Sequence, residues 1–412
     1  MTSPPNCRFC EEPLRHTFVD LGMSPLSNAY LRGDQLNRME PFYPLHARVC
    51  SNCFLVQLEE FEKPENIFSG YAYFSSYSES WLRHSREYAE HATKRFHLNR
   101  HSLVVEIGSN DGYLLQYFLT KGVPVLGVEP AQNVADVARL RGVPTVARFF
   151  GRGTATELAA EERCADLIVA NNVLAHVPDL NGFVQGLQLL LKPQGIVTVE
   201  FPHLLRLIEG GQFDTIYHEH FSYISFCTAE ELFHKHGLRI FDVDELPTHG
   251  GSLRLYVAHA DNETVPQSSS VRQLRRQEIA AGIRDLSKYA GFAEKVRVTK
   301  RSLLQFLLEA KNRGKSLAGY GAPAKANTLL NYCGIGSDFM DYTVDLNPHK
   351  QNLFLPGTHI PIYSPEMLRQ TRPDYVLILP WNLREEIVEQ LAEIRQWGGR
   401  FVIPVPEVEI IA

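Results

Sequence analysis

The chain has 412 residues and a mass of 46.7 kDa, room for two or three domains at about 150 residues each. Apolar residues make up 44%, aromatics 10% and charged residues 21%, a globular composition that excludes wholesale disorder. With 41 basic against 47 acidic side chains the formal charge is -6, so there is no global basic field for gripping nucleic acid.

The N-terminal stretch Met1-Thr-Ser-Pro-Pro-Asn-Cys7 has neither an apolar signal-peptide core nor an Arg-rich transit pattern, and no run of 18 apolar residues follows. A cytoplasmic protein with no membrane contact is expected. Seven cysteines are an odd and sparse set, which suits a reducing compartment. Four of them form two pairs, Cys7-Arg-Phe-Cys10 and Cys50-Ser-Asn-Cys53, while Cys164, Cys227 and Cys333 stand alone. Residues 1–75 are short runs broken by turns and cannot build much core. A structural Zn²⁺ held by the thiolates of Cys7, Cys10, Cys50 and Cys53 would supply folding energy there. The 39 residues between the pairs need an inserted hairpin or loop. A redox Cys-x-x-Cys is the alternative, but that motif opens a helix in a βαβ unit, and none surrounds it.

Residues 76–262 alternate strand and helix. Leu103–Ile107, Val125–Glu129, Val143–Ala147, Ala165–Ala170 and Gly195–Glu200 are short apolar runs, separated by amphipathic stretches at 113–121, 133–142 and 180–192. Leu238–Val243 and Ser252–Ala258 follow, with a connection too short for a crossover helix, so they should pair antiparallel. Five parallel strands closed by such a pair is the layout of class I S-adenosylmethionine methyltransferases. After the first strand comes Glu106-Ile-Gly108-Ser109-Asn110-Asp-Gly112-Tyr113, where the glycines allow a sharp turn and close approach to a ligand. It resembles the cofactor loop E/D-x-G-x-G-x-G, with Asn110 in place of the middle glycine. Glu129 ends the next strand, where a carboxylate can accept the ribose hydroxyls, and Pro130 follows it. Phe149 stands where adenine should pack, with a plain core aromatic as the alternative, and Asn171 ends the fourth strand. Arg313-Gly-Lys-Ser316 mimics the end of a phosphate loop but lies between a helix and a strand, the reverse of the required order.

Residues 263–412 begin helical, over 270–315, and then form a smaller α/β domain with strands at Ser316–Tyr320, Tyr342–Asp345, Tyr375–Leu379 and Phe401–Pro404. Ligands of a parallel sheet bind beyond the carboxyl ends of its strands. Those ends carry Asn171–His176, Phe201-Pro-His203, Tyr217-His218-Glu219-His220-Phe-Ser-Tyr223 and Thr248-His249-Gly-Gly-Ser252. Several histidines and few carboxylates suit proton transfer near neutral pH. Metal binding by His218, Glu219 and His220, or satisfied structural histidines, are the competing readings.

Cys7-x-x-Cys10, the loop 106–112, Tyr217–Tyr223, His249-Gly-Gly-Ser-Leu-Arg254, Gly321-Ala-Pro-Ala-Lys325 and Asp345-Leu-Asn-Pro-His-Lys350 together resemble bacterial nucleotide-sugar C-methyltransferases, chiefly the sugar C-3'-methyltransferases of antibiotic deoxysugar pathways. The resemblance covers essentially the whole chain. It implies S-adenosylmethionine as methyl donor and a dTDP-4-keto-6-deoxysugar as substrate, whose C-3 proton is acidified by the neighbouring ketone. His220 matches the family's proposed base, generating an enolate. Glu219, Tyr217, His176 and one of Tyr71 and Tyr73 match residues lining that pocket. His203, His249, Ser252, Lys325 and Asn327 are further candidate substrate contacts, with the amides and cation of Gly321–Lys325 a possible diphosphate cradle. The smaller domain is expected to help hold the nucleotide, and a monomer acting on a small molecule is expected. The alternatives are N-, O- or C-5 methylation of a sugar nucleotide or other small metabolite; N- or O-methylation needs only a lone pair and a modest base, so this many histidines would be surplus, while C-5 stays open beside C-3. An RNA-binding methyltransferase is disfavoured by the acidic charge.

Overall fold

The computed structural model describes residues 4–63, 75–77 and 79–412. The expected insertion between the cysteine pairs is a hairpin: β1 (His16–Ser24) pairs antiparallel with β2 (Tyr43–Val49), His16 opposite Val49 and Ser24 opposite Tyr43. One face of β2 is buried in strict alternation, as a half-covered antiparallel strand requires. β3 (Val56–Gln57) pairs with β2 on one side and, on the other, with β9 (Ser222–Tyr223) from far along the chain. Through β9 this sheet takes up the end of the Tyr217–Tyr223 segment.

The central sheet holds β4 (Val104–Ile107), β5 (Val125–Val128), β6 (Thr145–Val146), β7 (Ala165–Asn171), β8 (Leu191–Pro202), β10 (Leu238–Leu246) and β11 (Ser252–His259), in the order β10-β11-β8-β7-β4-β5-β6. β4 to β8 run parallel, and β11 is antiparallel to both neighbours. All residues of β4 and β5 are buried, because helices cover both faces of a parallel sheet. Strand order reverses between β4 and β7, the point where a doubly wound sheet opens a ligand crevice. The helix Glu79–Arg95 leads into this sheet.

The helical stretch expected over 270–315 divides into Ser269–Ala280, Leu286–Ala290 and Phe292–Asn312, with Gly282 at a φ of +82° in the first break. The last sheet has β12 (Leu317–Tyr320), β13 (Thr343–Val344), β14 (Ile362–Tyr363), β15 (Tyr375–Ile378), β16 (Arg400–Ile403) and β17 (Glu409–Ile411), ordered β14-β13-β12-β15-β16-β17 with only β17 antiparallel. β14 and β17 escaped the sequence reading, being too short to show a period.

The cores cross the segment boundaries. Phe18 of β1 stacks on Phe292 at 4.3 Å, and one apolar cluster runs from the N-terminal hairpin through Leu205, Phe213 and Ile216 into the C-terminal sheet. Val271 and Leu274 belong to the core on one face of the central sheet. The sequence segments 1–75, 76–262 and 263–412 are therefore joined by shared cores. Among the described residues no helix is long and apolar enough to cross a membrane.

Candidate active site

The loop after β4 turns through Gly108, Asn110 and Gly112 at φ of +66°, +48° and +78°. A Cβ at Gly108 would lie 2.6 Å from Val173, and one at Gly112 would lie 2.8 Å from Val143, so both positions need glycine twice over. Asn110 is among the few side chains that tolerate the left-handed region. Its Oδ1 also accepts the Ser75 amide at 2.9 Å. The Glu129 carboxylate braces the loop, accepting the Asn110 amide at 2.9 Å and the Ala131 amide at 3.0 Å just past Pro130. Each of its oxygens keeps a second lone pair. Burial raises the pKa of Glu129 and drives that of Glu106 well above the carboxylate range. Ser109 Oγ, Asp111 Oδ1 and Asn171 Oδ1 are buried polar atoms around this crevice without a partner among the described residues. Tyr113 is buried and stacks on Trp81 at 6.1 Å. Phe149 is 41% exposed beyond β6, while Phe150 turns inward onto Phe183.

The segments beyond β7, β8 and β10 bring the histidines together. His220 Nδ1 lies 2.9 Å from the Thr215 carbonyl, which only accepts, so the ring proton sits on Nδ1. Nε2 is then the acceptor, and the Tyr217 hydroxyl donates to it at 2.8 Å. The His176 ring meets His220 edge-on at 4.7 Å. Burial, then the field of His176, keeps the His220 pKa well below its ordinary value, and burial holds His176 at about 4. Both rings are neutral at physiological pH. Ala175, Phe201, Thr215, His220, Ser222 and Tyr223 line a cavity beneath them. Glu219 is buried, accepts from Asn28 Nδ2 at 2.6 Å, and is pushed up to about 7 by burial. His218 takes a different partner, the Pro44 carbonyl at 3.2 Å, so it and His220 do not converge as a ligand pair.

His249, at a φ of +55°, lies against Trp81 and 3.4 Å from the Asn172 amide, and burial holds it at about 4. Ser252 Oγ closes its turn on the Thr248 carbonyl at 2.9 Å. Beneath it, Glu200 is fully buried and bonded to Arg254 at 2.6 Å, His84 at 3.1 Å and Thr248 at 3.1 Å. Burial alone would raise Glu200, but His84 and Arg254 outweigh it and hold it at about 2.

His203 and Asn327 sit elsewhere, whereas the charge of Lys325 acts on both His220 and His249. His203 is 1% exposed and pairs through Nε2 with Glu278 at 2.6 Å, beneath the rim. Asn327 is fully buried and donates to the Ser27 carbonyl at 2.5 Å, tying the C-terminal domain to the N-terminal hairpin. Lys325 turns inward, donating to Asn382 at 2.6 Å with its ammonium 4.7 Å from the Trp381 ring centre. In the loop before it, the Gly321 and Ala322 amides are already taken by Val344 and Asp345. Tyr71 and Tyr73 lie outside the described residues. Asn28 and Trp81 reach the site but carry no motif, and nothing in the local sequence marks them.

Three family models match the chain in order: a zinc binding domain over residues 7–68, a methyltransferase domain over 81–243 and the C-methyltransferase C-terminal domain over 247–406. The C-methyltransferase NovU of Streptomyces niveus is 38% identical over 411 residues, 98% of this chain and 96% of NovU. The chain belongs to the bacterial C-methyltransferases. A ubiquinone biosynthesis O-methyltransferase of Bartonella tribocorum is 34% identical over 97 residues, only 23% of this chain and 39% of that protein. A solved S-adenosylmethionine-dependent methyltransferase of Listeria monocytogenes aligns at 13% identity and a TM-score of 0.35 over 42% of this chain and 97% of its own, too slight to argue from.

This C-methyltransferase uses S-adenosylmethionine, and the crevice fits it: glycines where a Cβ would clash, an acidic strand end, and orphaned buried oxygens where a polar ligand can satisfy them. Its zinc is structural. The sulfurs of Cys7, Cys10, Cys50 and Cys53 all lie within 4.8 Å of one another, compatible with thiolates about 2.3 Å from a shared tetrahedral ion. Gln57 Nε2 donates to Cys7 Sγ at 3.1 Å from within β3, the strand that pairs with β9. The four cysteines do not line the cavity at His220, and one strand pairing joins Gln57 to the end of the Tyr217–Tyr223 segment.

Proposed function

We propose that the C-methyltransferase methylates C-3' of a dTDP-4-keto-6-deoxysugar, with His220 removing the C-3' proton to give an enolate. The observation that carries this reading is a neutral imidazole whose Nδ1 proton is tied to Thr215, leaving Nε2 as the basic atom of a ring that lines a small cavity. Carbon is not a nucleophile until its proton is gone, so a positioned base is required, worth typically ~10²–10⁴ in rate. Bound S-adenosylmethionine supplies the electrophilic methyl. The developing oxyanion needs a donor, and the Tyr217 hydroxyl, which the substrate can draw away from Nε2, and His176 are at hand. A low pKa makes His220 a weak base, so its work depends on that oxyanion being stabilised at the same moment.

Deprotonation needs no methyl transfer. In D₂O with S-adenosylhomocysteine, the enzyme should wash deuterium into C-3' of the keto-sugar, and His220→Asn should not, while both ligands still bind. Exchange and methylation by His220→Asn near the wild-type rate would assign the base elsewhere. A panel of dTDP-4-ketosugars, with the new methyl located by NMR, tests the substrate and the position.

A further inference from the structure

We propose that Asn28, in the loop after β1 of the zinc-bearing module, is a positioning residue of the active site whose side-chain amide fixes the carboxylate of Glu219, the residue before His220. The inference rests on the proposed function for the role of the Glu219–His220 pair. Asn28 Nδ2 lies 2.6 Å from Glu219 Oε1 across 191 residues of sequence, the short distance of a charge-assisted bond.

The donor is held on both sides. One residue before it, the Ser27 carbonyl accepts from buried Asn327 at 2.5 Å. Three residues after it, Leu31 exchanges backbone bonds with Phe354 at 3.0 and 2.8 Å. Between these clamps, the Tyr30 hydroxyl donates to the Ala322 carbonyl at 2.6 Å and lies 3.3 Å from Asn28 Oδ1. Lys350 reaches the same Ala322 carbonyl at 2.9 Å, with its ammonium 5.4 Å from the Tyr30 ring centre. Both flanking clamps are made by the C-terminal domain, so the backbone that carries Asn28 cannot shift without breaking an interdomain contact. All three sequence segments thus converge on one carboxylate.

Among the described residues, few groups face Glu219. Asn28 comes from the N-terminal loop, Lys350 and the Tyr30 hydroxyl stand behind it, and His176 leans on its backbone. Burial raises its pKa to about 7, while Asn28 and Lys350 work to lower it. Loss of the amide therefore moves the Glu219 titration upward. A residue that merely packed the loop would leave that titration in place.

The test is a double-mutant cycle of Asn28→Leu and Glu219→Gln, with Asn28→Asp as the isosteric variant should the leucine fail to fold. Zinc content and S-adenosylhomocysteine affinity should match wild type. Asn28→Leu should lower kcat about 10- to 100-fold, the range for a hydrogen bond to a charged group, with little change in KM. In the Glu219→Gln background the same change should cost less than about twofold, because the two residues act as a unit. Difference infrared spectra across pH, taken without substrate, should show a carboxyl titration near 7 that vanishes in Glu219→Gln and moves up in Asn28→Leu and Asn28→Asp. Multiplying losses in kcat, or an unmoved titration, would overturn the proposal. If the wild-type enzyme turned over no keto-sugar, the functional reading would fail while the infrared titration still decided the role of Asn28.

Discussion

Asn110 shows how one residue can depart from a glycine pattern and keep its geometry. At a φ of +48° it occupies a conformation that costs most side chains about 1–2 kcal/mol, and asparagine less. Asn110→Gly should therefore keep S-adenosylhomocysteine affinity within a few-fold, and Asn110→Val should lose most of it, by calorimetry. Glu129→Ala should weaken the same affinity by about 1.5–3 kcal/mol, because it removes a ribose acceptor and frees the Asn110 and Ala131 amides together. Unchanged affinity would refute the assignment. Titration separates the site residues as well. His176 and His249 stand at about 4 and His220 well below its ordinary value, so none changes charge between pH 6 and 8. Glu219, at about 7, does. If the Glu219 carboxylate supports the reaction, the rate should rise with pH through about 7 as it forms, and Glu219→Gln should flatten that limb. A limb that survived the substitution would belong to another group.

Among the elements, the short pairing of β3 with β9 has the widest consequence. Val56 and Gln57 face Tyr223 and Ser222, Arg8 reaches the Leu58 carbonyl, and the Leu58 amide bonds to Phe221 at 3.0 Å. The knuckles around the cysteines thus support the strand that leaves the Tyr217–His220 segment. Cys50→Ser should lose zinc and soluble protein together. Mild chelation of the wild type should lower turnover before it lowers S-adenosylhomocysteine binding, since one face of the central sheet keeps a core to which the cysteines do not belong. Metal-free protein with full turnover would contradict this. The His203–Glu278 contact acts on another element. Glu278 also accepts the Phe226 and Cys227 amides at 2.7 and 2.8 Å, so Glu278→Ala would strand three buried donors. It should cost about 3–5 kcal/mol of stability, the scale for breaking a buried charged contact, read as a lower Tm. A Tm within a degree or so of wild type would show that the contact is not needed.

For the molecule as a whole, the C-terminal domain is a wall of the active site. Trp381 donates to fully buried Asp214 at 2.6 Å, and Thr328 donates to the Ile216 carbonyl at 2.9 Å, clasping the turn whose Thr215 carbonyl orients His220. Burial, opposed by Lys325 and then Trp381, leaves Asp214 raised to about 6 from 3.8. A folded-state value above the unfolded one means that its favourable contribution is complete below about pH 4 and is lost as pH rises through 6. The indole N–H supports the ionised form. Trp381→Phe should therefore lower Tm more at pH 8 than at pH 5, by an amount equivalent to about 1.5–3 kcal/mol. Equal losses at the two pH values would show that only packing was removed.

The sequence by itself determined the order of the parts: cysteine pairs, a parallel sheet with its Gly108–Gly112 loop and Glu129, and a second α/β unit. These are written locally, as periodicity, glycine at left-handed turns and ligand spacing, and each is complete within some thirty residues or, for the zinc, within two turns. His220 and Tyr217 were legible too, because four residues carry both. Tertiary structure alone decided which histidines meet. His203 and His218 look equivalent to His176 and His249 in the sequence, yet the first is sealed against Glu278 and the second bonds to Pro44. It alone supplied Asn28 and Trp381, ordinary residues whose partners lie 191 and 167 positions away. A hydrogen bond across such distances depends on two surfaces packing in one register. Composition and spacing record that one half of a pair is polar, and only the closed fold says what stands opposite.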